Sequence, residues 1–152
     1  MKHIKLTKGK LAIIDDEDFI KVNKIKWHFD GNYAANKGKN KIYLHRFVLN
    51  APLNMDVDHK DLNKLNCQKS NLRLTNQQGN GANRRLNKNN KSGYKGVYFN
   101  NQKKYKKPWM AQIKVNYKPI HLGMFRTPQE AALVYNEAAL KYFGEFARLN
   151  KI

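Results

Sequence analysis

The sequence predicts an α+β protein in two units, and three patterns carry that expectation. The first fifty residues hold short alternating runs separated by turn residues. A strand–loop–strand–helix order follows over residues 51–83. From Gly93 onward, three short strand-like runs precede one long, well-signalled helix. Residues 84–93, RRLNKNNKSG, are polar and basic without apolar periodicity, so they read as a linker. The expected division is a unit over 1–85, a linker at 86–92 and a unit over 93–152.

At the start, IKLTKGKLAIID alternates as a hairpin turning at Lys8-Gly9. KWHFDGNYAANKGKNKIYLHRFVL offers a second β-like segment, with Asp30-Gly31 as a turn and Gly38 in the next loop. His3 and His28 read as structural or surface histidines. In the last sixty residues, GYKGVYF, WMAQIKV and IHLGMF read as strands, with NNQKKYKKP and NYKP as turns between them. The helix over FRTPQEAALVYNEAALKYFGEF has Thr127 as N-cap, Pro128 at N1 and Glu130 at N3, a capping box, and Gly144 just past its end. Ala131, Tyr135, Ala138, Ala139 and Tyr142 fall on one stripe. That stripe needs an apolar partner, and the three strands supply it. The sheet's other face then carries Lys95, Tyr98, Trp109, Gln112, Lys114 and His121.

Charge is the strongest bulk signal. Thirty Lys and Arg against eleven Asp and Glu give +19, with a pI near 10.1. Residues 1–83 carry 15 basic and 8 acidic side chains, and residues 84–152 carry 15 and 3. Positive charge spread over folded segments suits a long polyanion, and double-stranded DNA is the expected partner. A basic RNA- or ribosome-associated protein is the reading that charge alone leaves open. One cysteine, Cys67, excludes a disulfide framework and any zinc site needing two thiolates. No apolar run approaches the roughly 20 residues of a membrane span, and MKHIKLTKGK has no signal-peptide core. An intracellular location, no membrane, no obligatory protein partner, and a monomer or weak dimer are therefore expected.

The stretch VDHKDLNKLNCQKSNLRLTNQQGN, residues 57–80, offers the parts of a phosphodiesterase site. Asp58 is a hard oxygen ligand, His59 a base able to take a proton from water near neutral pH, and Asn80 a carbonyl oxygen. Adjacent strand residues point to opposite sides, so Asp58 and His59 need an irregular strand end to converge. NLRLT alternates as the returning strand, and Thr75 is placed to cap a short helix carrying Asn80. With 20 asparagines in 152 residues, spacing alone leaves the choice open between this site and a polar surface loop.

The wider text adds two resemblances. LHRFVL…VDHKDLNKLNCQKSNLRLTNQQGN, over residues 43–85, resembles the HNH endonuclease family in the form found in bacteriophage homing endonucleases. That resemblance implies a ββα-metal core in which His59 is the general base, Asp58 and Asn80 bind a divalent metal, and Asn71 holds the loop and orients His59. Mg²⁺ is the ion implied, with Mn²⁺ able to substitute. Arg46, with His45 beside it, matches an HR element with a scaffold or phosphate-contact role. Asn83 is a reserve ligand. Leu62 stands where the family has Gly, which strains the turn if that position needs positive φ. Cys67 replaces an Asn. The second resemblance runs through YKGVYF…WMAQIKV…IHLGMFRTPQEAALVYNEAALKYFGEFARLN, residues 93–150, which is similar to the ethylene-response-factor (APETALA-type) DNA-binding domain. It implies a three-stranded antiparallel sheet packed on one helix, with Lys95, Tyr98, Asn100, Trp109, Gln112, Lys114 and His121 facing DNA. Together the two resemblances imply a sequence-targeted DNA endonuclease that nicks as a monomer. The rival is a DNA-binding regulator whose HNH segment is only scaffold.

Overall fold

The computed structural model describes residues 1–38, 40–101 and 106–152. Part of the expected NNQKKYKKP turn, residues 102–105, lies outside them, as does Lys39 in the loop after Gly38. The chain forms two compact units, Met1–Asn80 and Gly81–Ile152. Strands and helices are mixed in an α+β chain, as the patterning predicts.

In the first unit, β1 (Lys2–Lys5) pairs antiparallel with β2 (Leu11–Ile14) across a 3-10 turn at Thr7–Gly9. Lys8 and Gly9 both take positive φ there, so the turn sits where the sequence places it. A short α1 (Phe19–Asn23) follows, then β3 (Trp27–Phe29) and β4 (Ala34–Asn36), again an antiparallel pair. The Asp30 carboxylate accepts the N–H groups of Asn32 and Tyr33 and an ion pair from Lys41, which fixes the β3–β4 turn. LHRFVL, read as part of a β-like segment, is instead α2 (Leu44–Leu49), ended by left-handed Asn50. Leu44 and Val48 stand four apart and are both buried, a helical spacing that a strand would send to the same face only by also burying Arg46. Next come β5 (Asp56–His59), β6 (Leu72–Thr75) and α3 (Gln77–Ala82). The β5–β6 pair is antiparallel. Asn76, not Thr75, caps α3: its Oδ1 accepts the Gly79 N–H at 2.9 Å, while the Thr75 hydroxyl donates to the Asn76 carbonyl.

These short elements share one core, in which Ile14, Val22, Trp27, Leu44 and Cys67 are almost fully excluded from water. The Trp27 indole N–H donates to the Val22 carbonyl at 2.9 Å, so its one polar atom is satisfied within that core.

The second unit is an antiparallel sheet in sequence order, β7 (Val97–Phe99), β8 (Trp109–Val115) and β9 (Lys118–Phe125), covered on one face by α4 (Pro128–Phe143). The Thr127–Glu130 capping box is complete, and Gly144 caps the C-terminus at φ +51°. Ala131, Tyr135, Ala138 and Ala139 are buried as the stripe predicts, joined by Ala132. Tyr142 is exposed, and Phe143 closes the stripe against Ile113 and Tyr135 in its place. The alanines let the helix lie close to the sheet. Closest approach comes at Gly96 (φ +73°), where a Cβ would stand 2.0 Å from the Tyr135 ring.

Candidate active site

Asp58 and His59 end β5, and both are at most 5% exposed. Strand alternation sends them to different sides. Asp58 lies opposite Arg73 on β6, whose Nε and Nη2 both donate to Asp58 Oδ2, at 2.9 and 2.7 Å. His59 lies opposite Leu72 and packs against His45, with ring centroids 5.1 Å apart, and near Tyr33 at 6.1 Å. One more bond joins the strands, from Lys60 N–H to the Asn71 carbonyl at 2.9 Å, before Leu62 N–H turns back to the His59 carbonyl at 2.9 Å. Leu62 takes φ +64°, the conformation in which a glycine carries no penalty and a leucine costs about 1–2 kcal/mol.

That turn persists because the loop beyond it is densely bonded. The Asn71 amide reaches across to Asp61 in both directions: its Nδ2 donates to Asp61 Oδ1 at 2.9 Å, and its Oδ1 accepts the Asp61 N–H at 3.1 Å. Asn71 Nδ2 also donates to the Asn66 carbonyl, and Asp61 accepts from Asn63 N–H and Asn66 Nδ2. Burial raises the Asp61 carboxyl, but the hydrogen bonds from Asn66, Asn63 and Asn71 outweigh it and hold Asp61 below the usual carboxylate range. Asn71 therefore braces the loop that follows His59. The far end is stitched to β2: Ile13 N–H donates to the Leu65 carbonyl and Cys67 N–H to the Ile13 carbonyl, each at 2.8 Å. Cys67 anchors this seam in the core, where burial pushes its thiol up to about 12. The replacement of an Asn here is an apolar anchor.

Around His59 stands an aromatic wall that the sequence did not reveal. His45 stacks on Tyr43 (5.6 Å, 21° between planes) and lies 5.0 Å from Tyr33, which in turn meets Tyr43 edge-on at 5.5 Å. Lys64 sits over the Tyr33 ring and donates to Asn32, tying the loop to the β3–β4 turn. The available signals were the Asp30 turn chemistry, which places Tyr33, and the helical phase of LHRFVL, which turns His45 inward. Burial lowers the His59 imidazole, with Asp61 and Asp58 opposing. Burial lowers His45 to about 3, helped by His59 and Arg46. Arg46 spends its guanidinium on the carbonyls of Met55, Ala51 and Pro52, the turn that leads into β5. These bonds brace the turn, which is the scaffold half of the role expected for Arg46.

Asn80 lies on α3 and is exposed, while Asn83 is buried beyond the helix in the second unit. No group of three His, Cys, Asp or Glu among the described residues could hold a metal. Mg²⁺ needs only one or two protein oxygens beside water and phosphate. The donor chemistry of Asp58 and Asn80 suits that requirement. Asp58 already holds a cationic group in the form of the Arg73 guanidinium.

In the second unit, register separates the expected DNA-contact residues. Tyr98, Met110 and Met124 form one cross-strand row on the open face, and Gln112 with His121 forms the next. Lys114 and Pro119 follow. Trp109 does not share this face. It alternates with Ala111 and Ile113 toward α4 and meets Phe99 edge-on at 4.9 Å. Lys95 is also drawn away: its ammonium donates to the carbonyls of Ala82 and Arg84, and burial, with Arg148 and Arg84, lowers it to about 8. Asn100 follows β7, its N–H bonded to the Pro108 carbonyl at 2.7 Å.

Comparison with known proteins bears on these residues directly. A family model described as HNH endonuclease matches residues 50–82, which span β5, the braced loop, β6 and α3. That places the site in a nuclease class. A protein of Acanthamoeba polyphaga mimivirus, described as an uncharacterised HNH endonuclease, is 35% identical over 152 residues, covering 95% of this chain and 77% of its own length. The chain belongs to the HNH endonuclease family. An ethylene-responsive transcription factor-like protein of Arabidopsis thaliana is 49% identical over 45 residues, 30% of this chain and 18% of its own. No solved structure matches.

The lowered imidazoles make stability pH-dependent. An unfolded histidine titrates near 6.5, so below that pH the unfolded chain binds more protons than the fold does. The His45 contribution is fully present above about 6.5 and lost as pH falls toward about 3. The melting midpoint should drop between about pH 7 and pH 5, and His45→Phe should flatten that dependence. An unchanged slope in the variant would assign the pH dependence to another group.

Proposed function

We propose that this protein is a metal-dependent, sequence-targeted DNA endonuclease of the homing type. The observation that carries the reading is the buried Asp58–His59 pair at the end of β5, held by the Asp61–Asn71 loop in a chain of the HNH endonuclease family. In this reading β5, β6 and α3 are the ββα-metal motif. A neutral His59, kept so by burial, takes the proton from the attacking water. Asp58 and Asn80 would hold the divalent ion, Mg²⁺ or Mn²⁺. When bound, it neutralises charge on the phosphate and the leaving oxygen. The wall of His45, Tyr33 and Tyr43 fixes the His59 ring and keeps water from its buried side. Asn71 positions the loop. Hydrolysis leaves 5′-phosphate and 3′-hydroxyl ends, and one site per chain nicks one strand.

The second unit supplies targeting. Its order of three strands and a capped helix, its 15 basic side chains against 3 acidic, and the 45-residue plant match support an ethylene-response-factor-type domain on duplex DNA. The open sheet face would enter the major groove, with Gln112 and His121 toward base edges and Lys114 toward phosphate.

Supercoiled plasmids carrying randomised inserts, incubated with Mg²⁺ or Mn²⁺ at low salt, test the chemistry. The expected result is nicking that EDTA stops and that His59→Ala reduces by about 10²- to 10⁴-fold. Absence of cutting by a preparation that retains duplex DNA would favour the non-catalytic regulator. Retention itself separates the sheet residues. Lys114→Ala should weaken binding to all duplexes alike and lower the salt slope by about one, while Gln112→Ala should relax preference at one base position. Equal retention by both variants, or tighter retention of RNA than of duplex DNA, would remove the sheet from the account.

A further inference from the structure

Asp58 presents an electrostatic problem that a nuclease reading alone does not address. Its side chain is 4% exposed, and a carboxylate so far from water needs a counter-charge. The fold supplies one from within. Arg73 stands directly opposite on β6, its side chain 12% exposed, and aims Nε and Nη2 at the same oxygen, Oδ2. The guanidinium thus occupies the place toward which a metal ligand would turn its charge.

We infer that Arg73 is the standing counter-ion of Asp58 and a positioning residue that sets how tightly the site holds its metal. The inference rests on the reading of Asp58 as a metal ligand. Two consequences follow from electrostatics. Asp58 is neutralised without metal, so the hairpin folds in its absence, unlike small domains whose folding depends on a bound ion. A divalent ion arriving at Asp58 meets an already paired carboxylate and a nearby positive charge. It must either draw Arg73 off Oδ2 or share the carboxylate with it, and both routes weaken its hold. Weak binding suits an ion that the scissile phosphate helps to retain, because the full ligand set then assembles only on DNA. Arg73 also fixes the carboxylate's orientation through two donors rather than one, which Lys cannot do.

The full-length protein with Mn²⁺ as probe, and no DNA, tests this through binding and melting. Arg73→Gln keeps length and polarity but removes the charge. It should melt below the parent without metal, gain more from added Mn²⁺ than the parent does, and bind Mn²⁺ roughly tenfold more tightly. Adding Asp58→Asn to Arg73→Gln should abolish that gain. A purely structural arginine gives the opposite sign, with weaker Mn²⁺ binding in a loosened site, and that result or an unchanged affinity overturns the inference. A gain that survives Asp58→Asn overturns it too. Should Arg73→Gln fail to fold, Arg73→Lys replaces the fork by one point contact but keeps the charge, so its Mn²⁺ affinity should stay close to the parent's; tenfold tighter binding with the charge kept overturns the idea. His59-dependent cutting by the parent, together with no change in Arg73→Gln, would sink the role of Arg73 and leave the nuclease reading standing.

Discussion

The first unit depends on the two-way hydrogen bonding between Asp61 and Asn71. The loop between β5 and β6 is long, polar and rich in asparagine, and the two residues exchange donor and acceptor across it, beside the bond from Lys60 N–H to the Asn71 carbonyl. That pairing fixes where β5 ends. It also holds Leu62 in a backbone conformation that leucine resists, and keeps Asn66 beside β2. The strain at Leu62 is small against the number of bonds that over-determine the turn. A unit with three or four residues per strand cannot fix a site by strand length. It does so by stitching a loop to neighbours on either side, through Ile13 and Cys67 on one flank and Lys64 on the other.

Electrostatics then decides how the reactive pair is presented. Asp58 and His59 are neighbours in sequence but face different surroundings, one an arginine and the other a cluster of rings. Burial keeps the imidazole neutral although Asp61 and Asp58 oppose it, while Arg73 sits against the Asp58 carboxyl.

Much of this was legible in the sequence. The capping box from Thr127 to Glu130 and the alanine stripe of α4 are local signals, and they appear as read, apart from the exchange of Tyr142 for Phe143. The Lys8-Gly9 and Asp30-Gly31 turns are likewise local. What escaped notice is non-local or ambiguous. LHRFVL is six residues long, too short for helix and strand periodicities to differ clearly. Trp109 reads as an open-face residue among the alternate positions and by the family resemblance, whereas counting alternation back from Ala111 and Ile113 places it toward α4. Tyr33 comes from the β3–β4 turn, Tyr43 and His45 from the start of α2, and nothing in the sequence announces that they meet around His59. The engagement of Arg46 and Lys95 with backbone carbonyls is equally invisible, because a basic side chain in a basic protein reads first as a contact for nucleic acid.

In the proposed function Asp58 and His59 act together on one phosphate with a divalent ion between protein and DNA. Diffraction at the manganese edge from crystals of the protein with duplex DNA and Mn²⁺ tests this directly. An anomalous peak within coordination distance of Asp58 is expected. Asn80 should be turned toward it and a backbone phosphate should lie between the ion and His59. A peak away from Asp58, or a duplex whose phosphates do not approach His59, would contradict it.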